Sequence, residues 1–331
     1  MRTFRMLTLG KGAQYDEMEE RFHKLITTIE ENYWPVYGLE IREKGELLFA
    51  CGDTKDTRYP IYSATKSFVS TAAGIAVKEG KFSVKESIYD YLKSEVPVYA
   101  TEAQKETLKK LTIERLMTMS VKGYPFRPEG DDWLSYSLLY PLEDVETPEF
   151  NYSNIPAYLV GVALEKATGE HLADYLAPRL FDPLGIKNPV YGNCPAGHFY
   201  GASQMELTVE ELGRLGQLYL KGGMWNGARI LTEGWVKEAT SVKTACREGG
   251  YGYFIWKYKD GFRITGKWGK RCFVFPDTGS IVTYLSDMQN NSEDLTEAVM
   301  ECIGENNTGG LVRNRIEEAG CKRKAREWEI V

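Results

Sequence analysis

The spacing of apolar residues predicts helices along most of the chain. Residues 15–33 carry apolar side chains at the 3.6-residue repeat of an amphipathic helix. Residues 63–79 are small and apolar on nearly every face, which is typical of a buried helix, and Gly80 follows as a C-cap. Further helices are predicted at 113–119, 155–168, 208–221, 233–241 and 294–303. Because residues 84–170 contain no strand-like run, the middle of the chain is predicted to be helical.

Strand-like runs occur in two distant parts of the chain. Residues 36–41 and 46–52 flank Gly45 in the pattern of an antiparallel hairpin. Four short apolar runs separated by Gly- and Asp-containing turns predict an antiparallel meander at 251–256, 262–264, 272–275 and 280–285. We therefore expect an α/β (α+β) fold in which both chain ends build one antiparallel sheet, flanked by helices, around an inserted all-helical region.

Composition narrows the class of protein. The chain has 331 residues, 43% hydrophobic and 27% charged, as in folded globular proteins. A formal charge of -6 creates no positive field for nucleic acid. The six cysteines form no CxxC pair and are expected to be reduced, and the three histidines lack metal-ligand spacing. Residues 1–11 contain no apolar stretch of signal-peptide length, and no run approaches a membrane span. These features predict a cytoplasmic protein that takes a small-molecule substrate without cofactor, metal, nucleic acid or membrane; they do not predict its oligomeric state.

The first candidate for chemistry is the segment Ser63-Ala64-Thr65-Lys66 at the start of the buried helix. Residues three apart share one face of a helix, so the hydroxyl and the amine are expected to meet. Burial disfavours the ammonium form of Lys66, which lets the neutral amine take the proton of Ser63. The N–H groups at the helix start can stabilise an oxyanion. A chain of this length contains about one S-x-x-K by chance, so the signal depends on this buried context.

The second candidate is Tyr152-Ser153-Asn154, immediately before the predicted helix 155–168. A phenol near a lysine can be driven toward phenolate, act as a general base and then return the proton to a leaving group. Tyr191 begins a segment with the same Y-x-N spacing, so spacing alone leaves both tyrosines open. A purely structural interpretation makes Ser153 or Asn154 the helix N-cap and Tyr152 a packing residue.

The third candidate is Lys267-Trp268-Gly269 in the C-terminal meander. A cation and a glycine there could hold a substrate carboxylate while the backbone lines an oxyanion site. The same K-x-G spacing also begins at Lys78, Lys221 and Lys259, so only the place of this segment in the sheet favours it.

The order and context of these segments resemble the serine β-lactamase-like hydrolases, a group that includes class C β-lactamases, D-alanyl-D-alanine carboxypeptidases, D-aminopeptidases and esterases. The resemblance covers roughly residues 36–287 and includes F-N-Y-S-N at 150–154 and E-K-A-T-G at 165–169. It implies a β-lactamase/transpeptidase-like fold and one catalytic domain over 1–331. Its expected parts are a sheet part (1–80 and 205–305), a helical part (81–204) and a polar C-terminal tail (306–331).

The resemblance also implies roles for single residues. Ser63 corresponds to the acylated nucleophile and Lys66 to its proton partner. Tyr152, rather than Tyr191, corresponds to the base of the second motif. Asn154 corresponds to the asparagine that contacts either the substrate amide or the lysine.

The third motif implies the rest of the site. Lys267 falls where the family has Lys or His and favours a carboxylate-bearing substrate, and Gly269 matches the motif glycine. The oxyanion hole would consist of the backbone N–H groups of Ser63 and Lys270. Trp268 stands where Thr or Gly is expected, so it should narrow or roof the cleft and disturb the geometry that β-lactams need.

The resemblance therefore predicts a serine hydrolase that forms an acyl-enzyme with a small ester or amide. One alternative is a true β-lactamase or D-alanyl peptidase, and another is a binding protein that kept the fold and lost turnover. A Ser-His-Asp esterase is disfavoured, because the chain has no G-x-S-x-G segment. His23, His171 and His198 are interpreted as structural.

Overall fold

A six-stranded antiparallel sheet is the central element of the fold. A computed structural model describes residues 13–304, with side chains described from residue 18 onward. The strands of the main sheet are β1 (Val36–Glu43), β2 (Glu46–Gly52), β7 (Trp256–Tyr258), β8 (Gly261–Gly266), β9 (Lys270–Phe275) and β10 (Ser280–Ser286). Their order across the sheet is β2-β1-β10-β9-β8-β7. Since β1 pairs with β10, distant parts of the chain do meet in one sheet, as predicted.

Two short ladders accompany the main sheet. In the first, β3 (Tyr59–Pro60) pairs with β4 (Glu206–Leu207), and in the second β5 (Met224–Trp225) pairs with β6 (Ala228–Arg229). The first ladder ties the chain just before Ser63 to the segment that returns from the helical region.

Twelve α-helices are described, and most of them lie between β3 and β4 or follow β4. They are α1 (Ala13–Glu31), α2 (Thr65–Lys78), α3 (Ile88–Leu92), α4 (Glu102–Lys110), α5 (Ile113–Met117), α6 (Trp133–Leu139), α7 (Ile155–Thr168), α8 (Leu172–Leu176), α9 (Asp182–Leu184), α10 (Val209–Leu220), α11 (Glu233–Thr240) and α12 (Ser292–Ile303). A 3-10 turn (Tyr62–Ala64) precedes α2, and a π turn (Ala177–Phe181) precedes α9. The predicted helix at 155–168 has the bounds of α7. Within the described residues, every helix is too short or too polar to cross a bilayer.

The main sheet is covered on both faces, which explains why its central strands carry apolar side chains on both sides. Along β9, Cys272 and Val274 face the larger core shared with α2, α7 and α10. Phe273 and Phe275, which alternate with them, face the smaller core formed with α1 and α12. Because successive side chains on a strand point to opposite faces, a strand buried on both sides shows no polar alternation.

The predicted strand at 251–256 is wrong, because β7 begins only at Trp256. Phe254 has a left-handed φ of 54°, and its N–H donates to the Met117 carbonyl. Gly252 packs so closely that a Cβ would lie 2.1 Å from the Ala239 carbonyl oxygen. The segment is an irregular loop inside the core, so its apolar residues reflect burial rather than pairing. The tail predicted at 306–331 lies outside the described residues.

Candidate active site

Ser63 lies in the 3-10 turn between β3 and α2 and is half-buried. The turn is held from one side by Ile61, whose N–H donates to the Met205 carbonyl at 2.9 Å. Tyr62 has a left-handed φ of 47°, a strained conformation that is concentrated at functional sites. The first N–H groups of a helix have no acceptor within it, so the turn presents donors beside the Ser63 hydroxyl.

Lys66 is 1% exposed and carries the most unusual electrostatics of the site. Its Nζ lies 3.0 Å from Ser63 Oγ, 2.6 Å from Asn154 Oδ1 and 2.8 Å from the Ala202 carbonyl oxygen. Burial lowers the pKa of Lys66 from 10.5 to about 7. Among the side chains described from residue 18 to residue 304, no carboxylate opposes that shift, since burial is its only cause. A large fraction of Lys66 is therefore neutral near pH 7.

Tyr152 precedes α7 and covers the same amine, with its ring centroid 5.0 Å from Lys66 Nζ. Its ring packs against Trp256 at 5.5 Å and Tyr251 at 6.2 Å. Burial raises the pKa of Tyr152 to about 12, and a hydrogen bond with Ser63 only partly opposes that shift. In contrast to the expected drive toward phenolate, the protonated phenol is thus the resting form.

The alternative tyrosine, Tyr191, lies in a different aromatic cluster. It packs against Phe199 at 5.4 Å and against His171 at 5.9 Å. The structure therefore brings Tyr152, rather than Tyr191, to Ser63 and Lys66.

Asn154 occupies the N-cap position of α7, but its side chain makes no capping hydrogen bond. Its Oδ1 accepts from Lys66, and its Nδ2 donates to the Tyr200 hydroxyl at 3.0 Å. The neighbouring Ser153 hydroxyl accepts the N–H of Ile155 instead, so it supplies a cap-like contact. Asn154 is thereby available to orient Lys66.

The sequence predictions missed Tyr200 and Ala202, which complete this network from residues 198–202. Tyr200 holds the Asn154 amide, and the Ala202 carbonyl oxygen accepts from Lys66. One contact uses a backbone carbonyl, which has no sequence signature. The other uses one tyrosine among 21.

Lys267, Trp268 and Gly269 form the turn between β8 and β9. Lys267 Nζ lies 4.1 Å from the Trp268 ring centroid, and the Trp268 ring meets Tyr62 edge-on at 5.3 Å. Gly269 has a φ of 77°, and a Cβ there would lie 2.2 Å from Ser286 Oγ. The turn thus places the indole next to the residue that precedes Ser63.

Lys270 begins β9 opposite Gly266 and is 1% exposed. Its Nζ lies 3.8 Å from Asp287 Oδ1 and 5.0 Å from the Tyr62 ring centroid. Burial lowers the pKa of Lys270 to about 8. Its amine is therefore enclosed beneath the turn, whereas Lys267 is half-buried on the turn itself.

Gly266, which the sequence predictions also missed, packs directly against the 3-10 turn that carries Ser63. A Cβ on Gly266 would lie 2.0 Å from the Ile61 carbonyl oxygen, so only glycine fits. Lys267 follows directly, and its N–H donates to no backbone acceptor within residues 13–304. Thr265 and Gly266 match the last two residues of a K-T-G motif, a signal that Ile264 in the lysine position concealed.

A sequence model of the Beta-lactamase family matches residues 40–300, which contain Ser63, Lys66, Tyr152 and the β8–β9 turn. The chain belongs to the Beta-lactamase family. A 6-aminohexanoate-dimer hydrolase from Paenarthrobacter ureafaciens is 22% identical over 271 residues, covering 72% of this chain and 68% of that protein.

Solved structures show the fold of this Beta-lactamase family member. A class C β-lactamase superposes with a TM-score of 0.71 at 14% identity over 89% of this chain and 98% of that one. A penicillin-binding protein from Bacillus halodurans gives a TM-score of 0.65 at 17% identity over 83% of this chain and 98% of that one. The β-lactamase/transpeptidase-like fold is confirmed, and the chain is a Beta-lactamase-family hydrolase.

In this Beta-lactamase family member, His171 and His198 make structural contacts, and most of the described cysteines are buried. His198 Nδ1 lies 2.6 Å from Glu165 Oε2, while His171 caps α8 through its Nδ1. Four of the five described cysteines are buried, and all five are unpaired. Across residues 13–304, no group of three or more His, Cys, Asp or Glu side chains is arranged to hold a metal ion.

Proposed function

We propose that this protein is a serine hydrolase that forms an acyl-enzyme on Ser63, with Lys66 as the general base and Tyr152 as the proton donor to the leaving group. The substrate is a small ester or amide. The observation that carries the proposal is the surroundings of Lys66, a fully buried amine within hydrogen-bond distance of the Ser63 hydroxyl.

The three polar neighbours of Lys66 match the hydrogen-bonding capacity of a neutral amine. A neutral amine has two N–H donors and one lone pair. Asn154 Oδ1 and the Ala202 carbonyl oxygen can only accept, so they take the two N–H groups. The lone pair is left for the third neighbour, Ser63, whose hydroxyl can donate.

Acylation follows from these positions. Lys66 Nζ takes the Ser63 proton as Oγ forms a bond to the substrate carbonyl carbon, and the carbonyl π electrons move to its oxygen. The N–H groups of Ser63 and Lys267 stabilise this oxyanion. Tyr152, protonated at rest, donates to the departing oxygen or nitrogen, and the proton on Lys66 restores the phenol. In deacylation, a water oxygen attacks the acyl carbonyl carbon while Lys66 Nζ takes a proton from the water. The bond from the carbonyl carbon to Ser63 Oγ then breaks, Oγ regains a proton from Lys66, and the acid is released.

Lys267 replaces Lys270 in this account of the oxyanion hole. The backbone of Lys270 is paired with Gly266 in the β8–β9 ladder. Gly266 contacts Ile61, just before Ser63, and Lys267 follows Gly266 directly. The Lys267 amide also lacks a backbone acceptor in the described part of the chain, so it is available to a substrate.

Aromatic side chains around Ser63 favour an extended substrate with an apolar portion. Tyr62, Trp268 and Trp256 are all half-buried around the site. The relative from Paenarthrobacter acts on a dimer of 6-aminohexanoate, so a linear amide is included with esters, D-amino-acid peptides and β-lactams in the substrate panel. A carboxylate on the substrate could pair with Lys267, whose amine lies at the rim of the turn.

Acylation by a fluorophosphonate probe, followed by intact-protein mass measurement, tests the proposal. We expect one adduct on the wild type and none on Ser63→Ala. Lys66→Ala should label at least about 10²-fold more slowly. Lys78→Ala, the same change at the other end of α2, should label at the wild-type rate. A folded wild type that reacts with no fluorophosphonate, penicillin or activated ester would instead support a binding protein that lost turnover.

A further inference from the structure

We propose that Glu165 and His198 are positioning residues that fix the segment 198–202 and so keep water away from Lys66. This inference rests on the proposed role of Lys66 as a base. Glu165 lies on α7, the helix that begins beside Asn154, and is 9% exposed. Neither residue reaches the reacting atoms, so each acts only through the segment that it holds.

One buried carboxylate fixes the start of this segment at two consecutive residues. Glu165 Oε2 lies 2.6 Å from His198 Nδ1, and Glu165 Oε1 accepts the Phe199 N–H at 3.1 Å. The same Oε1 also accepts the Leu172 N–H at 3.0 Å, which anchors the carboxylate to the start of α8. Hydrogen bonds to an ionised carboxylate are stronger than those between neutral groups, so this start is rigidly held.

The end of the segment makes two of the contacts that define the active-site amine. Tyr200 holds the Asn154 amide, and the Ala202 carbonyl oxygen lies 2.8 Å from Lys66 Nζ. Between them Gly201 is wedged against α2 and α7, since a Cβ there would lie 2.5 Å from Val69 Cγ2 and 3.2 Å from the Ala157 carbonyl oxygen. A chain packed this tightly transmits a displacement at His198 to Ala202.

Other charged and titratable groups surround Glu165 and His198. His171 Nε2 lies 3.7 Å from Glu165 Oε1, and the Tyr158 hydroxyl, whose pKa is raised mainly by burial, lies near Cys194. Glu95, paired with Lys166 at 2.8 Å, faces His198. None of these groups contributes to the pKa shift of Lys66, whose only cause is burial.

The direction in which the pKa of Lys66 changes distinguishes a positioning role of Glu165 and His198 from a direct electrostatic effect of their charges. Removing a nearby negative charge would by itself lower the pKa of an ammonium group. Admitting water beside Lys66 removes the cost of burial and raises its pKa toward 10.5. Because the base must be neutral, we expect loss of the Glu165–His198 contact to move the acid limb of the acylation rate to higher pH.

The experiment measures the fluorophosphonate acylation rate constant from pH 5 to pH 10 for the wild type, E165Q, H198L, H198N and E170Q. The acid limb should rise by one pH unit or more in E165Q and H198L, while the rates at pH 9.5 stay within about threefold of wild type. H198N can restore a donor near the Nδ1 position, so it should retain the wild-type profile. E170Q, on a residue that pairs with Arg179 rather than with the segment, is the matched control.

Three results would overturn the inference: an unshifted acid limb, a limb moved to lower pH, or a loss of rate that is equal at every pH. If E165Q does not fold, as judged by thermal unfolding, the comparison of H198L with H198N decides. A wild type that is not labelled at all would instead refute the proposed function, so the two failures are distinguishable.

Discussion

The pH dependence of Ser63 acylation is the sharpest consequence of the buried amine. With a pKa of about 7, about half of Lys66 is neutral at pH 7 and about a tenth at pH 6. An exposed lysine with a pKa of 10.5 would be neutral in only about 3 molecules in 10⁴ at pH 7, so burial increases the supply of base by about 10³-fold. The acylation rate should therefore fall tenfold per pH unit below pH 6 and be constant above pH 8.

Stopped-flow or discontinuous mass measurement of fluorophosphonate labelling checks this profile, with circular dichroism at each pH to confirm that the protein stays folded. Lys66→Arg places a permanently charged group in the same position, so the variant should lose at least about 10²-fold in rate at pH 8 and show no acid limb. A wild-type limb near pH 4 would indicate a carboxylate base, and a limb above pH 9 would indicate a solvated lysine. Either result would refute the role assigned to Lys66.

Three further predictions concern the other groups of the site. Tyr152→Phe should slow hydrolysis of an amide by about 10²-fold or more and slow hydrolysis of an activated ester less, because only the poor leaving group needs a proton. Steady-state kcat on a matched amide and ester measures this difference, and equal losses on the two substrates would contradict it. Lys267→Pro removes the proposed oxyanion N–H and should reduce kcat by about 10²-fold, whereas Lys267→Ala keeps the N–H and should have a kcat within a few-fold of wild type. Equal kcat values for the two variants would show that the donor lies elsewhere. Trp268→Gly should increase kcat/KM for bulky acyl donors relative to acetyl esters. An unchanged substrate profile would show that Trp268 does not narrow the cleft.

Local sequence patterns were sufficient where one periodic signal sets the structure. The helix at 155–168 and the hairpin formed by β1 and β2 follow from spacing and from glycine at their boundaries. The meeting of the chain ends also followed, because strand-like runs occur only near both ends. The loop at 251–255 could not be predicted from local pattern, since continuous burial among helices gives the same apolar run as a strand buried on two sides.

The third segment of the site shows a different limit. The K-x-G spacing of Lys267-Trp268-Gly269 also occurs at three other places in the chain, and the family resemblance predicted that the turn residues themselves form the third motif. The residue that packs against the turn carrying Ser63 is instead Gly266, where the Ile61 carbonyl oxygen leaves no room for a Cβ. That requirement arises from packing between β8 and the 3-10 turn, which are far apart in sequence. The local signal for it, Thr265-Gly266, lacks the lysine of a K-T-G motif.

The neutral form of Lys66 likewise depends on three chain segments rather than on S-x-x-K itself. Ser63 and Lys66 come from one helix start, but Asn154 comes from the start of α7 and Ala202 from the chain returning to the sheet. Each added segment removes water and supplies an uncharged acceptor, and a carboxylate in either place would pair with the ammonium form and raise its pKa. An S-x-x-K segment therefore becomes a base only when its neighbours exclude both water and negative charge. By that criterion, the identity of residue 154, the position of the backbone carbonyl at residue 202 and the tightness of the chain around them determine whether Lys66 can activate Ser63.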